Sequence, residues 1–120
     1  MPPYLPDTPR VREALARYHD CITAMDKNVG RILAELEEDG LAEDTIVFFY
    51  SDHGTGLPRG KRWLHSTGLH VPLIVRCPEK YKHLLPGDPG SASNELVSFV
   101  DFPATALSLA NIKPPKEWHG

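Results

Sequence analysis

Two apolar patterns of different period organise this chain. Val11, Leu15, Tyr18, Ile22, Met25, Val29, Ile32 and Leu36 recur at alternating steps of four and three, the spacing of one face of an α-helix. Thr8 and Pro9 read as an N-cap followed by proline at the first helical position, and Gly40 as a left-handed stop. The helix they bound has roughly eight turns. Thr45-Ile46-Val47-Phe48-Phe49-Tyr50 and Val71-Pro72-Leu73-Ile74-Val75-Arg76 lack polar alternation, which predicts strands buried on both faces. Glu95-Leu96-Val97 is a candidate third strand. Phe102 to Ala110 reads as a short helix with Asp101 as N-cap and Asn111 as its stop. The polar, Pro/Gly-rich stretch from Cys77 to Ser93 predicts an exposed connection. The predicted fold class is α/β. The apolar stripe also suits a short coiled coil, but Gly30 in mid-helix and the strand that follows at once favour a helix lying on a sheet. Two or three strands with two helices are thin for a complete open sheet, so the expectation is a portion of something larger.

Composition narrows the class without naming a chemistry. Thirteen basic against sixteen acidic residues give a formal net charge of −3, which argues against a nucleic-acid footprint. No apolar run approaches the length of a membrane span, and Met1-Pro2-Pro3-Tyr4 lacks the pattern of a signal peptide. Cys21 and Cys77 are far apart and have no zinc or redox spacing. Cys21 falls on the apolar helix face, so a buried free thiol is expected there. Glu37, Glu38 and Asp39 stand at the unfavourable end of the helix dipole, and nothing local explains them.

Chemistry gathers where the first strand ends. Ser51-Asp52-His53-Gly54 follows Tyr50 directly, and ligands of α/β sheets bind beyond the carboxyl ends of strands. Asp52 and His53 are therefore a candidate metal-ligand pair, against the alternative of an ordinary polar loop. Gly56-Leu57-Pro58-Arg59-Gly60-Lys61-Arg62 follows, with three cations within four positions. An acidic pair and a cationic loop on one side of a sheet suit a metal and an anionic substrate.

These residues carry a resemblance. Thr45-Ile46-Val47 leading into Ser51-Asp52-His53-Gly54, then Lys61, then Gly68-Leu69-His70-Val71-Pro72-Leu73-Ile74-Val75, resembles the C-terminal part of the catalytic domain of sulfatases, a family of the alkaline phosphatase superfamily. The likeness extends upstream through Tyr18 to Leu33, with Met25-Asp26 and Val29-Gly30. Downstream it takes in Leu96 to Thr105 and Leu109 to Ile112, so that nearly all of residues 1–120 are covered. The resemblance implies part of a single alkaline-phosphatase-like three-layer α/β/α domain, without the nucleophile-bearing N-terminal portion. Asp52 and His53 would help hold a divalent metal, by family habit Ca2+, with Mg2+ or Mn2+ as alternatives. The family's other acidic ligands lie outside these residues. Imidazole favours transition metals over calcium, so His53 leaves the metal's identity open.

Lys61 matches the family lysine that contacts the sulfate and the leaving oxygen. The Tyr-Glu-Gly-Gly-like stretch that follows it is here His65-Ser66-Thr67-Gly68, of which only the last position agrees. His65 is a candidate substrate contact, able to donate a proton or hydrogen bond near the leaving group. Arg59 and Arg62 suit the loop surface as well as they suit substrate. His19, His70, His83 and His119 have no supporting spacing, and Asp26 reads as a packing or capping residue. The implied reaction is hydrolysis of a sulfate ester by a formylglycine made from Cys or Ser in Cys/Ser-x-Pro-x-Arg. No segment of this sequence satisfies that pattern, so the isolated chain is expected to be inactive. The resemblance also admits an extracytoplasmic setting. Two alternatives stand: a phosphoester or phosphonate ester hydrolase of the same superfamily, and a non-catalytic module packing through its long helix. An exposed helix face would also suit a homo-oligomer.

Overall fold

Thr8 sets the start of the first helix, its Oγ1 accepting a hydrogen bond from the Val11 N–H at 3.3 Å. Pro9 takes the first helical position, where its missing N–H costs nothing. The computed structural model, which describes residues 1–118, continues this helix, α1, over Pro9–Glu38. It ends in a Schellman motif. Gly40 turns to φ +70°, its N–H donates to Glu37 at 3.0 Å, and the Leu41 N–H donates to Leu36 at 3.0 Å. A 3₁₀ turn at Ala42–Asp44 leads into β1 (Val47–Tyr50). The one-turn helix α2 (Ser66–Leu69) interrupts the connection to β2 (Leu73–Arg76).

β1 and β2 pair antiparallel, with Val47 opposite Arg76 and Tyr50 opposite Leu73. The Ser51 N–H adds a bond to the Pro72 carbonyl at 3.3 Å. The connection 51–72 therefore leaves and re-enters the ladder at the same end. At the other end Arg76 donates to the Ala42 carbonyl at 2.8 Å and stands 3.6 Å from a Glu43 carboxylate oxygen. These contacts tie the 3₁₀ turn to the strands. Ala42 is buried there, but no large side chain is fully buried among the described residues.

That shallow core corrects several expectations. β1 is half-buried apart from the exposed Tyr50, and β2 is exposed up to Arg76, instead of both being covered on two faces. A two-stranded ladder without covering layers leaves its faces open. α1 meets the turn at Ala42–Asp44, and a side chain built at Gly30 would meet nothing within 4 Å. Cys21 is exposed rather than buried, and Ile22, Met25 and Ile32 on the apolar stripe are exposed too. Val11, Leu15, Tyr18, Val29 and Leu36 on the same stripe are half-buried.

The described residues from Lys80 on make a second compact unit. A 3₁₀ segment spans Glu79–Leu84, and α3 spans Asp101–Leu109. Glu95-Leu96-Val97 forms no strand; the Glu95 N–H donates to Ser93 Oγ at 3.1 Å, and Leu96 is wholly exposed. An unpaired segment of this length has no ladder partner to hold it extended. Asp101 is the first residue inside α3 rather than its N-cap, which is Val100. Its carboxylate accepts from the Ser98 N–H at 2.7 Å, tying the chain before the helix to its first residue. Asn111 stops the helix at φ +57°, its N–H bonded to Ser108 and that of Ile112 to Leu107.

Candidate active site

The end of β1 delivers Asp52 and His53 to one place. His53 Nε2 lies 3.5 Å from Asp52 Oδ1, with the His53 side chain 36 % exposed and that of Asp52 81 % exposed. His53 Nδ1 is 2.7 Å from the carbonyl oxygen of Gly54. A carbonyl can only accept, so Nδ1 is the donor in this contact, and in the Nδ1–H tautomer the Nε2 lone pair would be left for another partner. Ser51 Oγ donates to the His53 carbonyl at 2.7 Å, which fixes the backbone behind the ring. A nitrogen lone pair and a carboxylate oxygen at this separation match the bite of two adjacent donors on one divalent ion, about 3–3.5 Å for bonds of about 2.0–2.5 Å. Nevertheless, no group of three or more His, Cys, Asp or Glu able to hold a metal occurs among the described residues.

Glycine backbones hold the loop together. The Gly54 N–H donates to the Gly68 carbonyl at 3.2 Å, so the Asp52-His53 segment is tied to α2. The Lys61 N–H donates to the Thr55 carbonyl at 2.7 Å, and the Trp63 N–H to the Gly60 carbonyl at 3.1 Å. Main chains approach so closely that a Cβ on Gly54 would lie 1.9 Å from the Thr67 carbonyl oxygen. Side chains at Gly60 and Gly68 would likewise collide with backbone, of Thr55 and Trp63 respectively. The Thr67 hydroxyl closes the loop by donating to the Arg59 carbonyl. Arg59 and Arg62 adopt φ of +66° and +72°, conformations that L side chains resist.

Lys61 is exposed, and its ammonium makes no ion pair or side-chain hydrogen bond among the described residues. The loop thus brings the Lys61 backbone against Thr55, without a contact between its side chain and Asp52 or His53. His65 is half-buried just before α2, and its ring stacks on Trp63 at 5.9 Å between centroids and 15° between planes. The Arg59 guanidinium lies over the Tyr4 ring at 5.2 Å, so one of the three cations is already engaged. Trp63 was not among the residues that the sequence singled out. The available signal was an aromatic side chain inside a Gly/Pro-punctuated cationic loop, where no core pattern calls for one. His19 and His70 have no place in this arrangement, His83 belongs to the second unit, and His119 lies outside the described residues.

The model of the Sulfatase family matches residues 2–112. The chain belongs to the sulfatase family. It is 42% identical over its whole length to the ulvan-active sulfatase of Formosa agariphila, covering 19% of that protein. It is 36% identical to human N-sulphoglucosamine sulphohydrolase, with 96% of this chain and 22% of that protein aligned. It is 30% identical to the N-acetylglucosamine-6-O-sulfatase of Bacteroides thetaiotaomicron over 92% of this chain and 20% of the other. The chain therefore spans about a fifth of the length of the curated relatives it matches. No solved structure matches it. At family level the chemistry is sulfuric ester hydrolysis; Met1–Glu79 form a small α/β unit with one long helix and an antiparallel strand pair. No helix among the described residues is long and apolar enough to cross a membrane.

Proposed function

We propose that these residues supply the strand-end metal ligands and the cationic substrate loop of a sulfuric ester hydrolase built on a three-layer alkaline-phosphatase-like domain. The observation that carries the reading is the pair at the end of β1: His53 Nε2 faces Asp52 Oδ1 at 3.5 Å while Nδ1 is committed to a carbonyl. Asp52 and His53 would hold a divalent metal, Ca2+ by family habit and Mg2+ or Mn2+ as alternatives. When bound, the metal would supply positive charge to the sulfate oxygens. Lys61 would stand against the developing oxyanion as a compact point charge, and His65 would contact the leaving side. The attacking group, a formylglycine by family habit, would come from outside residues 1–120, as would the remaining metal ligands.

The test is turnover of sulfate esters by the intact enzyme carrying Asp52→Ala, His53→Ala or Lys61→Ala. Loss of rate in all three with melting temperatures close to wild type supports the assignment. Wild-type kinetics in Asp52→Ala would remove it. Assaying phosphate esters in parallel separates the reading from a phosphoester hydrolase of the same superfamily.

A further inference from the structure

We propose that Trp63 is a specificity-determining residue that receives the ring bearing the sulfate, so that the enzyme prefers ring-bearing to open-chain sulfate esters. The inference rests on the sulfatase reading above and extends it to the alcohol side of the ester.

Three observations carry it. First, Trp63 is 58 % exposed, although it is the largest apolar side chain of its loop. The His65 ring lies nearly parallel to the indole, at 5.9 Å between centroids and 15° between planes, an offset stack that orients the indole while more than half of its side chain stays exposed. Second, its backbone is fixed from both sides. The Trp63 N–H is bonded to the Gly60 carbonyl, and the Trp63 carbonyl packs against Gly68 so closely that a Cβ there would lie 2.2 Å from it. A rigid backbone under an exposed aromatic ring is preorganised for a partner and loses little entropy on binding one. Third, Trp63 lies between cations and a histidine: Lys61 and Arg62 precede it and both are exposed. Burying that surface under another protein layer would strip water from two unpaired charges, which is costly. An anionic ligand with an apolar ring face meets both demands at once: the negative group offsets the cations, and the ring covers the indole.

The shared chemistry is a ring with an apolar face and a sulfate at its edge, provided by either a pyranose or an aromatic ring. The experiment uses the full-length enzyme as wild type, Trp63→Ala and Trp63→Phe, with three probes: a monosaccharide sulfate, an aryl sulfate and a short-chain alkyl sulfate. Loss of one stacking contact predicts a roughly three- to tenfold higher KM in Trp63→Ala for at least one ring substrate, with kcat within about twofold. The alkyl sulfate should be unaffected, and Trp63→Phe should recover most of the loss. Which ring substrate responds identifies the source of the ring. An equal change for all three probes, or no change for either ring, overturns the inference while leaving the sulfatase reading intact. A wild-type enzyme that hydrolyses none of the three overturns both. If Trp63→Ala fails to fold, Trp63→Phe and Trp63→Leu decide: an unaltered ring-to-alkyl preference in a folded Trp63→Leu enzyme refutes the proposal.

Discussion

The Gly54 N–H reaches the Gly68 carbonyl at 3.2 Å, and that bond joins the residue after the candidate metal pair to the one-turn helix that follows the cationic loop. The approach is possible only because position 54 has no side chain, since a Cβ would sit 1.9 Å from the Thr67 carbonyl oxygen. Backbone cannot yield as a flexible side-chain tip would. Gly54→Ala should therefore cost about 1–3 kcal/mol of stability, the range for forced overpacking. It should also displace His53, whose Nδ1 depends on the Gly54 carbonyl. Chemical denaturation checks the first effect and the His53 ring signals in an NMR spectrum check the second. A variant as stable as wild type would show that the loop can open at this point.

The pair at the strand end should bind metal weakly on its own, and with a bias. Calcium usually takes about six to eight oxygen ligands, whereas an imidazole nitrogen favours transition metals. Titration of the chain with paramagnetic Mn2+ should broaden the Asp52 and His53 signals before others, and His53→Ala should abolish that order. Earlier broadening at Glu37, Glu38 and Asp39, the acidic run at the end of α1, would show that the strand-end pair is not the preferred site.

Lys61 should matter to turnover and not to folding. Its side chain is exposed, and its backbone N–H, which holds the loop, survives any substitution other than proline. Lys61→Ala in the intact enzyme should lower kcat by about 10²-fold or more, as loss of one oxyanion-stabilising group does. Its melting temperature should stay within a degree or so of wild type, as for surface changes within about 0.5 kcal/mol. Full activity would mean that Lys61 is a solvated surface cation.

Legibility in the sequence followed how local each determinant is. The ends of α1 were readable because Thr8, Pro9 and Gly40 act within one turn of themselves. Asn111 worked as a stop for the same reason. Asp101 was misplaced by one position because its carboxylate does not cap the helix ahead of it but accepts from the Ser98 N–H behind it. The apolar runs at β1 and β2 marked strands, but burial is a property of neighbours, and β1 is only half-buried while β2 is exposed up to Arg76. The same cause exposes Cys21 and leaves Glu95–Val97 without a ladder partner. At the candidate site, the placement of Asp52 and His53 just past the end of a strand was legible. The loop's glycine contacts and the Trp63–His65 stack were not, because they join residues through space with no periodic signature.

The fork between Arg12 and Asp7 gives a pH-dependent contact away from the site. Arg12 Nε and Nη2 donate to the two Asp7 carboxylate oxygens at 2.6 and 2.8 Å. That pairing holds the Asp7 carboxyl below its ordinary value of 3.8 and raises the guanidinium. A depressed carboxyl stabilises the folded state above the unfolded value, and its contribution is lost as pH falls through the folded one. The helix start should therefore loosen only below pH 3.8, and only slightly, because both groups are exposed to solvent and screened by salt. An NMR titration of Asp7 should give a midpoint below that of an unpaired aspartate, returning to the ordinary value in Arg12→Ala. An unchanged midpoint would show that the fork does not persist in solution.

The 120-residue chain by itself should hydrolyse no ester and should self-associate through α1. Inactivity follows from the ligand set, since Asp52 and His53 have no third metal donor among the described residues, and from the absence of Cys/Ser-x-Pro-x-Arg in the sequence. Self-association follows from the helix: Ile22, Met25 and Ile32 are exposed along one stripe, Ile32 to 57 %. An apolar strip in water is stabilised by any partner that covers it, and at high concentration the nearest partner is another copy. Sedimentation of the purified chain should show a dimer or larger species, and Ile22→Glu with Ile32→Glu should shift it towards monomer without loss of helix content by circular dichroism. In parallel, an aryl sulfate and an aryl phosphate should be stable in its presence with calcium, magnesium or manganese. A monomer at all concentrations would show that the stripe is covered in solution. Metal-dependent turnover that copurifies with the chain and disappears in Asp52→Ala would show that the chain carries a complete site.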